Sequence, residues 1–337
     1  MKIFRLFLCF CLPVVLSCST GEVLRDIIGI KAEAPVYLDS KPVSSTEMVF
    51  RFSHSVKVLS LFFNPAQQVD SVHEGSEVSV IFSKPLTEGM KLSVDLLVED
   101  SDKNTLNVII PFRARNDRMP ALVFNELRTE YSKPKVEFVE FLALEDGNLG
   151  AIKLFIAGHS VSNAAYEFPP AEVKAGDYIT LHLRTIEDGC ADETGADLAL
   201  SGGTDAQSSA RDFWLPGAVK MLRKTDALWL IDQDDRIIDA VLLSEKPDAA
   251  WANEKMAAAA ELIGLQKAWL PSAGGDTAGA WVPGPGDAVL TAGTTNTRTI
   301  CRDESFPGQN RAADWYITAT SSASPGKPNS AKRYVPK

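Results

Sequence analysis

The stretch from Leu122 to Leu144, LVFNELRTEYSKPKVEFVEFLAL, holds the pattern that decides the fold. β-Branched and aromatic residues crowd both sides of a polar, proline-containing break at residues 132–135 (SKPK). Runs of this kind on either side of such a break predict two strands joined by a turn. A closing segment, residues 314–316 (DWY) followed by 324–329 (SPGKPN), brackets the same region near the C-terminus. We therefore expect residues 118–330 to form one domain.

The composition is typical of a globular protein. The chain has 337 residues, of which 45% are hydrophobic, so it is long enough for two domains that each bury a core. Its formal net charge is −10, and its Lys and Arg residues are scattered along the sequence. Nucleic-acid binding depends on clustered Lys and Arg that displace counterions from phosphates. Nucleic acid is therefore not expected as a partner.

The N-terminus carries an export signal. Lys2 and Arg5 give a positively charged start, and residues 3–16 form an apolar run. This run is too short to cross a bilayer core of about 30 Å as a helix. It ends in the residues VLSC, with the cysteine at Cys18, which resembles the bacterial lipobox in the relaxed form of spirochaete lipoproteins. A plain secretory signal with an incidental cysteine is the alternative.

The lipobox resemblance implies a protein anchored in the bacterial envelope. Residues 1–17 would be removed as a signal peptide, Cys18 would be acylated, and residues 18–34 would form a tether. The lipid bilayer is then a partner, because several acyl chains on one residue anchor a protein stably. Ser19 is not one of the acidic residues that retain some lipoproteins at the inner membrane. The outer membrane is therefore the expected location, with a periplasmic or surface-exposed protein.

Two thiols remain after such processing, Cys190 and Cys301. An exported domain lies in a compartment that permits disulfides, and an isolated pair there favours a bridge over a metal site. We therefore expect a Cys190–Cys301 disulfide. Two separate free thiols are the alternative.

Hydrophobic residues alternate with a period of two between residues 35 and 117, which predicts half-buried strands. Turn signals separate these runs, at spacings typical of a β-sandwich. The alternating residues are Met48, Phe50 and Phe52; Val78, Val80 and Phe82; Leu92, Val94, Leu96 and Val98; and Leu106, Val108, Ile110 and Phe112. The segment 82–85 (FSKP), with residues 100–106 and 111–112, resembles bacterial Ig-like domains. The resemblance implies a first Ig-like β-sandwich over residues 35–117.

The second domain carries a sharper set of motifs, in an order that resembles a bacterial lamin-tail domain. They are 124–127 (FNEL), 137–141 (EFVEF), 168–170 (FPP), 176–179 (GDYI), 228–232 (LWLID), 237–241 (IIDAV) and 324–329 (SPGKPN). That family is an Ig-type β-sandwich found on exported and membrane-associated bacterial proteins. The resemblance therefore implies an all-β chain of two tandem Ig-like sandwiches, the second spanning residues 118–330 and followed by a tail at 331–337.

Two features of this domain are predicted without the family. Residues 232–236 (DQDDR) separate two apolar runs, and their short acidic side chains suit the left-handed positions of a tight hairpin. Glu140 has apolar neighbours on both sides. A buried carboxylate needs hydrogen-bond donors, so we expect it to meet backbone groups, a side chain or solvent.

Two long insertions interrupt the second sandwich. The first, residues 187–212, is rich in acidic residues and could wrap Ca²⁺ as a possible cofactor, although it lacks the spacing of an EF-hand. A solvated surface loop without a metal is the favoured interpretation. The candidate calcium ligands are Asp188, Asp192, Glu193 and Asp197.

The second insertion covers residues 248–299. The segment 249–265 is rich in Ala, Leu and Met and predicts one helix, with residues 247–248 (PD) as its cap. Trp269 and Trp281 stand at the shoulders of the Gly- and Pro-rich loop that follows. They could form a stacking platform for a sugar or protein partner, or simply plug the loop onto the sheet.

Enzymatic signatures are missing from the sequence. The four histidines, His54, His73, His159 and His182, are isolated, and no Walker loop, nucleophile elbow or HExxH motif occurs. The prediction is therefore a non-catalytic envelope lipoprotein that binds or scaffolds an unidentified protein or glycan. The alternative is a metal-dependent hydrolase, or an accessory subunit, that uses the acidic insertion.

Overall fold

The structure is a computed structural model that describes residues 33–248, 250–271, 281–305 and 310–336. The predicted signal peptide, Cys18 and most of the tether lie outside these residues. The described chain separates into two compact units. One contains residues 33–41, Met48–Ile81 and Ser93–Pro111; the other contains Pro42–Glu47, Phe82–Leu92 and residues 112–336. The predicted domain boundary between residues 117 and 118 stays a prediction. No helix among the described residues is long and apolar enough to span a membrane.

The N-terminal strands form one six-stranded sheet. Its order is β3-β4-β2-β5-β6, with β1 paired to β2. The predicted alternation is confirmed: Met48, Phe50 and Phe52 are buried while Val49 and Arg51 between them are not. The strands are β1 (Tyr37–Ser44), β2 (Glu47–Asn64), β3 (Val69–His73), β4 (Gly75–Phe82), β5 (Lys91–Asp100) and β6 (Thr105–Arg113).

The C-terminal strands form two larger sheets and a two-stranded ribbon. The strands are β7 (Leu122–Arg128), β8 (Phe138–Ala143), β9 (Gly147–Asn148), β10 (Lys153–Ile156), β11 (Tyr166–Glu167), β12 (Glu172–Val173), β13 (Tyr178–His182), β14 (Arg211–Trp214), β15 (Asp226–Ile231), β16 (Ile237–Ser244), β17 (Val289–Leu290), β18 (Ile300–Arg302) and β19 (Trp315–Ile317). One sheet has the order β11-β10-β15-β16-β17 and the other the order β14-β13-β8-β7-β18-β19, while β12 pairs with β9. The all-β fold predicted from the sequence is confirmed.

A single apolar core lies between these two sheets. Phe124 and Phe141, from the paired strands β7 and β8, contribute to it with ring centroids 5.0 Å apart. Trp229 on β15 and Val241 on β16 enter the same core from the five-stranded sheet. The stretch that decides the fold therefore supplies two adjacent strands of one sheet and a large part of the core.

The hairpin predicted at residues 232–236 is present. β15 and β16 pair antiparallel. One oxygen of Asp232 accepts the N–H groups of Asp234 at 2.8 Å and Arg236 at 2.9 Å. Asp235 takes the left-handed conformation with φ of 59°, which short polar residues tolerate better than most. The acidic residues of this turn thus stabilise the backbone conformation of the hairpin.

The predicted helix is present as α1 (Glu254–Leu265) and begins later than expected. Asn253 is its N-cap, and the Asn253 side chain accepts the N–H of Met256 at 3.1 Å. The cap predicted at residues 247–248 was wrong, because it is the Asn253 side chain that satisfies a free N–H of the first turn. The helix buries Met256 and Ile263 against the core.

Two glutamates face each other across β7 and β8. Glu126 and Glu140 are directly paired in the antiparallel register, and both are 0% exposed. Residues 324–329, called here the C-terminal clasp, supply donors to them. Ser324 donates its backbone N–H to Glu126 at 3.0 Å, and Gly326 donates its backbone N–H to Glu140. The prediction that a buried Glu140 would find donors is confirmed.

Two asparagines fasten the clasp further. The side-chain amide of Asn329 donates to the side-chain oxygen of Asn125 at 2.9 Å and to the carbonyl of Arg302 at 2.9 Å. Asn125 in turn donates to Glu140 at 3.1 Å, and the Thr180 hydroxyl donates to the same carboxylate at 3.3 Å. The clasp thereby connects β7, β8, β13 and β18 through polar groups.

Burial raises the pKa of both glutamates. Desolvation is the largest cause for each, and hydrogen bonds from the clasp oppose it. The pKa of Glu140 is raised well above its usual value, and the neighbouring Glu126 charge contributes to that shift. Two like charges side by side in a sheet and shielded from water are unfavourable, so the burial of Glu126 and Glu140 depends on their hydrogen-bond donors.

Replacing Glu140 by Ala should destabilise the protein at neutral pH. The change leaves the buried donors of Gly326 and Asn125 without an acceptor, which costs about 3 kcal/mol. For a domain of this size we expect the melting temperature to fall by roughly 6–12 °C in a calorimetric scan. Glu77→Ala, at an exposed strand position, is the control and should change little. Equal melting temperatures for the two variants would contradict the role of the clasp.

The pH dependence of stability should differ between the wild type and Glu140→Gln. The folded pKa of Glu140 lies above the ordinary 4.5, so the folded protein holds a proton that the unfolded chain releases. The stability contributed by this proton is fully present below about pH 4.5 and is lost as the pH rises towards the folded pKa. Relative to Glu140→Gln, the wild-type unfolding free energy should therefore fall by about 1.4 kcal/mol per pH unit in that window. Urea unfolding at several pH values measures this slope, and parallel curves would refute it.

Candidate functional site

The acidic insertion at residues 187–212 folds against the six-stranded sheet of the C-terminal unit. Glu193 is fully buried, and its carboxylate accepts the N–H groups of Asp212 at 2.8 Å and Ser201 at 3.0 Å. Asp192 accepts the N–H of Trp214 at 2.8 Å and the hydroxyl of Tyr166 at 2.9 Å. These two carboxylates hold the loop on β14 and the adjacent core.

Asp205 anchors the other part of the insertion. It forms an ion pair with the buried Arg128 and accepts the N–H of Val136 at 3.1 Å. Asp188 and Asp197 lie at exposed positions, and Asp197 caps the N–H of Ala199 at 2.9 Å. Across residues 33–248, 250–271, 281–305 and 310–336, no three His, Cys, Asp or Glu side chains converge as a metal site. Much of the insertion is exposed, as expected for a surface loop, whereas Glu193 and Asp205 are buried against the sheet.

His182 is a buried histidine of β13. Its Nε2 lies 2.8 Å from an oxygen of Asp212, and its ring stacks on Trp214 with centroids 3.8 Å apart. Only about 1% of the side chain is exposed. The surroundings fit a structural role for this histidine, because they leave no open surface beside the ring.

The sequence left two roles open for Trp269 and Trp281, a stacking platform for a partner or a plug that packs the loop onto the sheet. Trp269 is 0% exposed and donates its indole N–H to the carbonyl of Asp287 at 2.9 Å. Trp281 is half-buried and packs against the same core. These residues plug the insertion onto the sheet, which is the alternative that the sequence left open.

The predicted Cys190–Cys301 disulfide is also wrong, since both residues are free thiols. Cys301 is buried on β18, opposite Glu126 on β7 and Tyr316 on β19. Burial, and then the Glu126 charge, raise the pKa of the Cys301 thiol well above its usual value. Cys190 lies in the acidic insertion beside Gly203. The Cys301 side chain is thus buried in the sheet beside Glu126, while Cys190 lies in a loop.

An open apolar cleft lies where the last strands of the two large sheets approach the chain's C-terminal residues. This edge groove has a volume of about 610 Å³, within the range of ligand sites in proteins. It is lined by Gly286, Ala288, Val289, Leu290, Ala292, Gly293, Ala312, Ala313, Trp315, Tyr316, Ile317, Arg333, Tyr334 and Pro336. β17 ends the five-stranded sheet and β19 ends the six-stranded one, and residues of both strands line the groove.

Residues 332–334 form one wall of the edge groove. Tyr334 donates its backbone N–H to Ile317 at 2.8 Å, and Ala319 donates to Lys332 at 2.9 Å, so this segment pairs beside β19. The Tyr334 ring lies so close to Gly293 that any side chain there would collide with it. The guanidinium of Arg298 covers the same ring at 4.2 Å. These contacts fix the wall to the rest of the domain.

The edge groove is not predicted by the sequence pattern. Residues 331–337 have the composition of a tail, and β17 has only two residues, too few to show a period. The available signal was the run of small residues at 292–293 (AG) and 312–313 (AA), together with the late Tyr334. Small side chains beside strand edges leave room for a ligand, but sequence alone does not place them together.

The fold defines the chain as an all-β protein whose C-terminal part, over the described residues, is a two-sheet sandwich with one α-helix. Residues 120–317 match a family model, TP_1001_2nd, described as a protein second domain. The match covers more than half of the chain, and the chain belongs to this family.

Two individual proteins are similar to the chain. An uncharacterized protein of Treponema pallidum (strain Nichols) is 28% identical over 244 residues, covering 67% of this chain and 61% of that relative. The chain thus spans less than two thirds of that relative's length. A crystal structure of a DUF4876 family protein from Bacteroides thetaiotaomicron VPI-5482 aligns with 80% of this chain and 88% of that chain. Its TM-score is 0.26 and its sequence identity 12%.

The two thiols should differ in reactivity. In a form that starts at Ser19, Cys190 should react with a thiol reagent in the native state, slowly because burial raises its pKa, while Cys301 should not react. Unfolding in guanidinium should expose both thiols, and Cys190→Ala should abolish the native reaction. Two unreactive sulfurs after unfolding without reductant would show a disulfide.

Proposed function

We propose that this protein is a membrane-anchored lipoprotein of the cell envelope with a non-catalytic binding or scaffolding role towards a protein or glycan partner. The observation that carries this proposal is that the buried acidic side chains and the open cleft have different roles. The buried carboxylates are occupied by the chain's own donors, whereas the edge groove is open and apolar. A binding surface therefore has room for a partner, while the acidic groups serve the fold.

The distribution of carboxylates argues for binding over catalysis. A general acid or base must reach a substrate atom at hydrogen-bond distance. Glu126, Glu140 and Glu193 are each 0% exposed and accept backbone N–H groups. Their positions suit the support of strands and loops and leave no space for a substrate beside them.

The anchor part of the proposal rests on residues outside the described chain. The basic start, the apolar run and the lipobox-like residues before Cys18 support acylation at that cysteine. Similarity to a Treponema pallidum protein is in keeping with the spirochaete form of that motif. The outer membrane is the proposed destination. Acyl chains there would hold the protein through hydrophobic transfer of their methylene groups.

A lamin-tail type for the second sandwich belongs to the same proposal. The motif residues that suggested it, Asn125 and Glu126 in one place and Ser324–Asn329 in another, are in direct contact. Motifs distant in sequence that interlock through hydrogen bonds support one common design. The first six-stranded sheet is proposed as its Ig-like companion.

Membrane fractionation of Cys18→Ser tests the anchor. The substitution removes the acylated sulfur, so the protein should shift from the membrane pellet to the soluble fraction and lose metabolic labelling with palmitate. Ser17→Ala is the matched control, because a small residue before the cysteine should preserve processing. Full membrane retention of Cys18→Ser after a high-salt wash would contradict the proposal.

The binding role is tested by a pull-down from envelope extract with the mature chain carrying Cys18→Ser. We expect one or a few proteins or glycans to be retained in stoichiometric amounts and eluted by excess untagged protein. Glu140→Ala is the control, because it should weaken the fold and reduce retention. The binding role would be overturned if the column retained no more material than a column with the tag alone. The non-catalytic role would be overturned if the protein converted any compound of a substrate panel.

A further inference from the structure

The edge groove has the composition of a peptide-binding cleft. Its floor and walls are made chiefly of Ala, Gly, Val, Leu and Ile, with Trp315 at 7% exposure beneath them. Leu290 on β17 remains 52% exposed beside the opening. Small residues make the cleft wide enough for apolar side chains of a ligand. Such side chains would cover surface that is otherwise in contact with water.

The lining of the edge groove differs in charge from the whole protein. The chain carries 44 acidic residues and a net charge of −10, yet none of the described residues that line the groove is acidic. Arg333 is the one charged residue among them. Its guanidinium lies over the Tyr316 ring at 4.3 Å and contacts Asp303 at 3.3 Å, while the side chain is 58% exposed. Because a guanidinium has five N–H donors in a fork, Arg333 retains capacity for a ligand carboxylate.

The backbone beside the groove can accept an additional strand. In an antiparallel pair, alternate residues direct their N–H and C=O groups to opposite sides. The Lys332 carbonyl accepts the N–H of Ala319 and the Tyr334 N–H donates to Ile317, so the backbone groups of Arg333 between them point away from residues 317–319. β17 is likewise the end strand of its sheet. Exposed strand edges of this kind bind extended peptides, whose alternate side chains enter neighbouring pockets.

We infer that the edge groove binds an extended peptide segment of a partner protein in which apolar side chains alternate with acidic ones. The apolar side chains occupy the cleft, an acidic side chain pairs with Arg333, and the peptide backbone adds to the strand edge. This inference rests on the proposed binding function and assigns the chemistry of its partner.

The lining favours a peptide over a glycan. Sugars are recognised by several polar side chains around an aromatic face, but the polar side-chain groups of the lining come from Arg333, Tyr316, Tyr334 and Trp315. The faces of Tyr316 and Tyr334 are each covered on one side by an arginine. An acyl chain would match the apolar walls but would leave the strand edges unused. The exposed strand edges therefore favour a peptide, whose backbone can form hydrogen bonds with them.

The experiment uses the mature chain with Cys18→Ser, so that no attached lipid competes for the cleft. The probe is a pool of fluorescein-labelled peptides of roughly ten residues in which Val, Ile or Leu alternates with Glu. A matched pool has Lys in place of Glu. At physiological ionic strength, fluorescence anisotropy should show saturable binding of the acidic pool, at least about tenfold tighter than that of the basic pool.

Three variants locate the binding. Arg333→Glu should lower the affinity for the acidic pool at least about tenfold and raise the affinity for the basic pool, because it reverses the charge at this position of the lining. Ala292→Trp fills the cleft from an exposed position and should abolish binding of both pools. Lys174→Glu makes the same charge change at an exposed loop position and should have no effect. Melting temperatures confirm that each variant is folded.

The inference fails if the acidic pool does not bind, if both pools bind equally, or if Arg333→Glu and Ala292→Trp bind like the parent. It also fails if laurate saturates the cleft while the peptides do not, since the site would then take a lipid chain. The proposed function is judged separately. If Ala292→Trp still retains the envelope partner in the pull-down, the binding role stands and the edge groove is not its site.

Discussion

Two carboxylates that face each other inside a sheet impose the main constraint on this protein. Glu126 and Glu140 are paired across adjacent strands and shielded from water, so the fold must bring hydrogen-bond donors to them. No neighbouring strand supplies enough backbone N–H groups, because those are used in the ladder. The donors come from residues 324–329, together with Asn125 and Thr180. The outer face of the sheet is therefore closed by the far end of the sequence.

The acidic insertion, whose residues 207–210 lie beside Gly326 of the clasp, follows the same principle. Glu193 and Asp205 are buried, and each accepts a backbone N–H from a strand or from the segment that leads into one. Arg128 compensates the charge of Asp205. Loops that would otherwise be mobile are thus held by individual carboxylates, each with a specific set of donors. Glu193 thus fixes the insertion to β14, at the opposite end of the sheet from β19 and the edge groove.

Local patterns in the sequence predicted the local structure and failed at long-range pairings. The alternation from Met48 to Phe52 and the turn at Asp232 depend on neighbours in sequence, and both were predicted correctly. The burial of Trp269 and the free state of Cys301 depend on residues far along the chain. Composition describes a Gly-rich loop with tryptophans but does not show that the indole meets the Asp287 carbonyl. The helix began five residues late for a related reason, since Asn253 outcompeted earlier residues as the cap.

The clasp also sets the order in which the protein can be completed. Ser324 and Glu126 are 198 positions apart, so nearly the whole C-terminal unit must be synthesised before their hydrogen bond can form. Closing so long a segment is slow compared with local hairpin formation. During synthesis, the N-terminal strands emerge first and the second unit stays incomplete until the clasp has been made. A chain that stops before Ser324 would leave Glu126 and Glu140 without the donors of the clasp, and proteases would meet it as an unfinished domain.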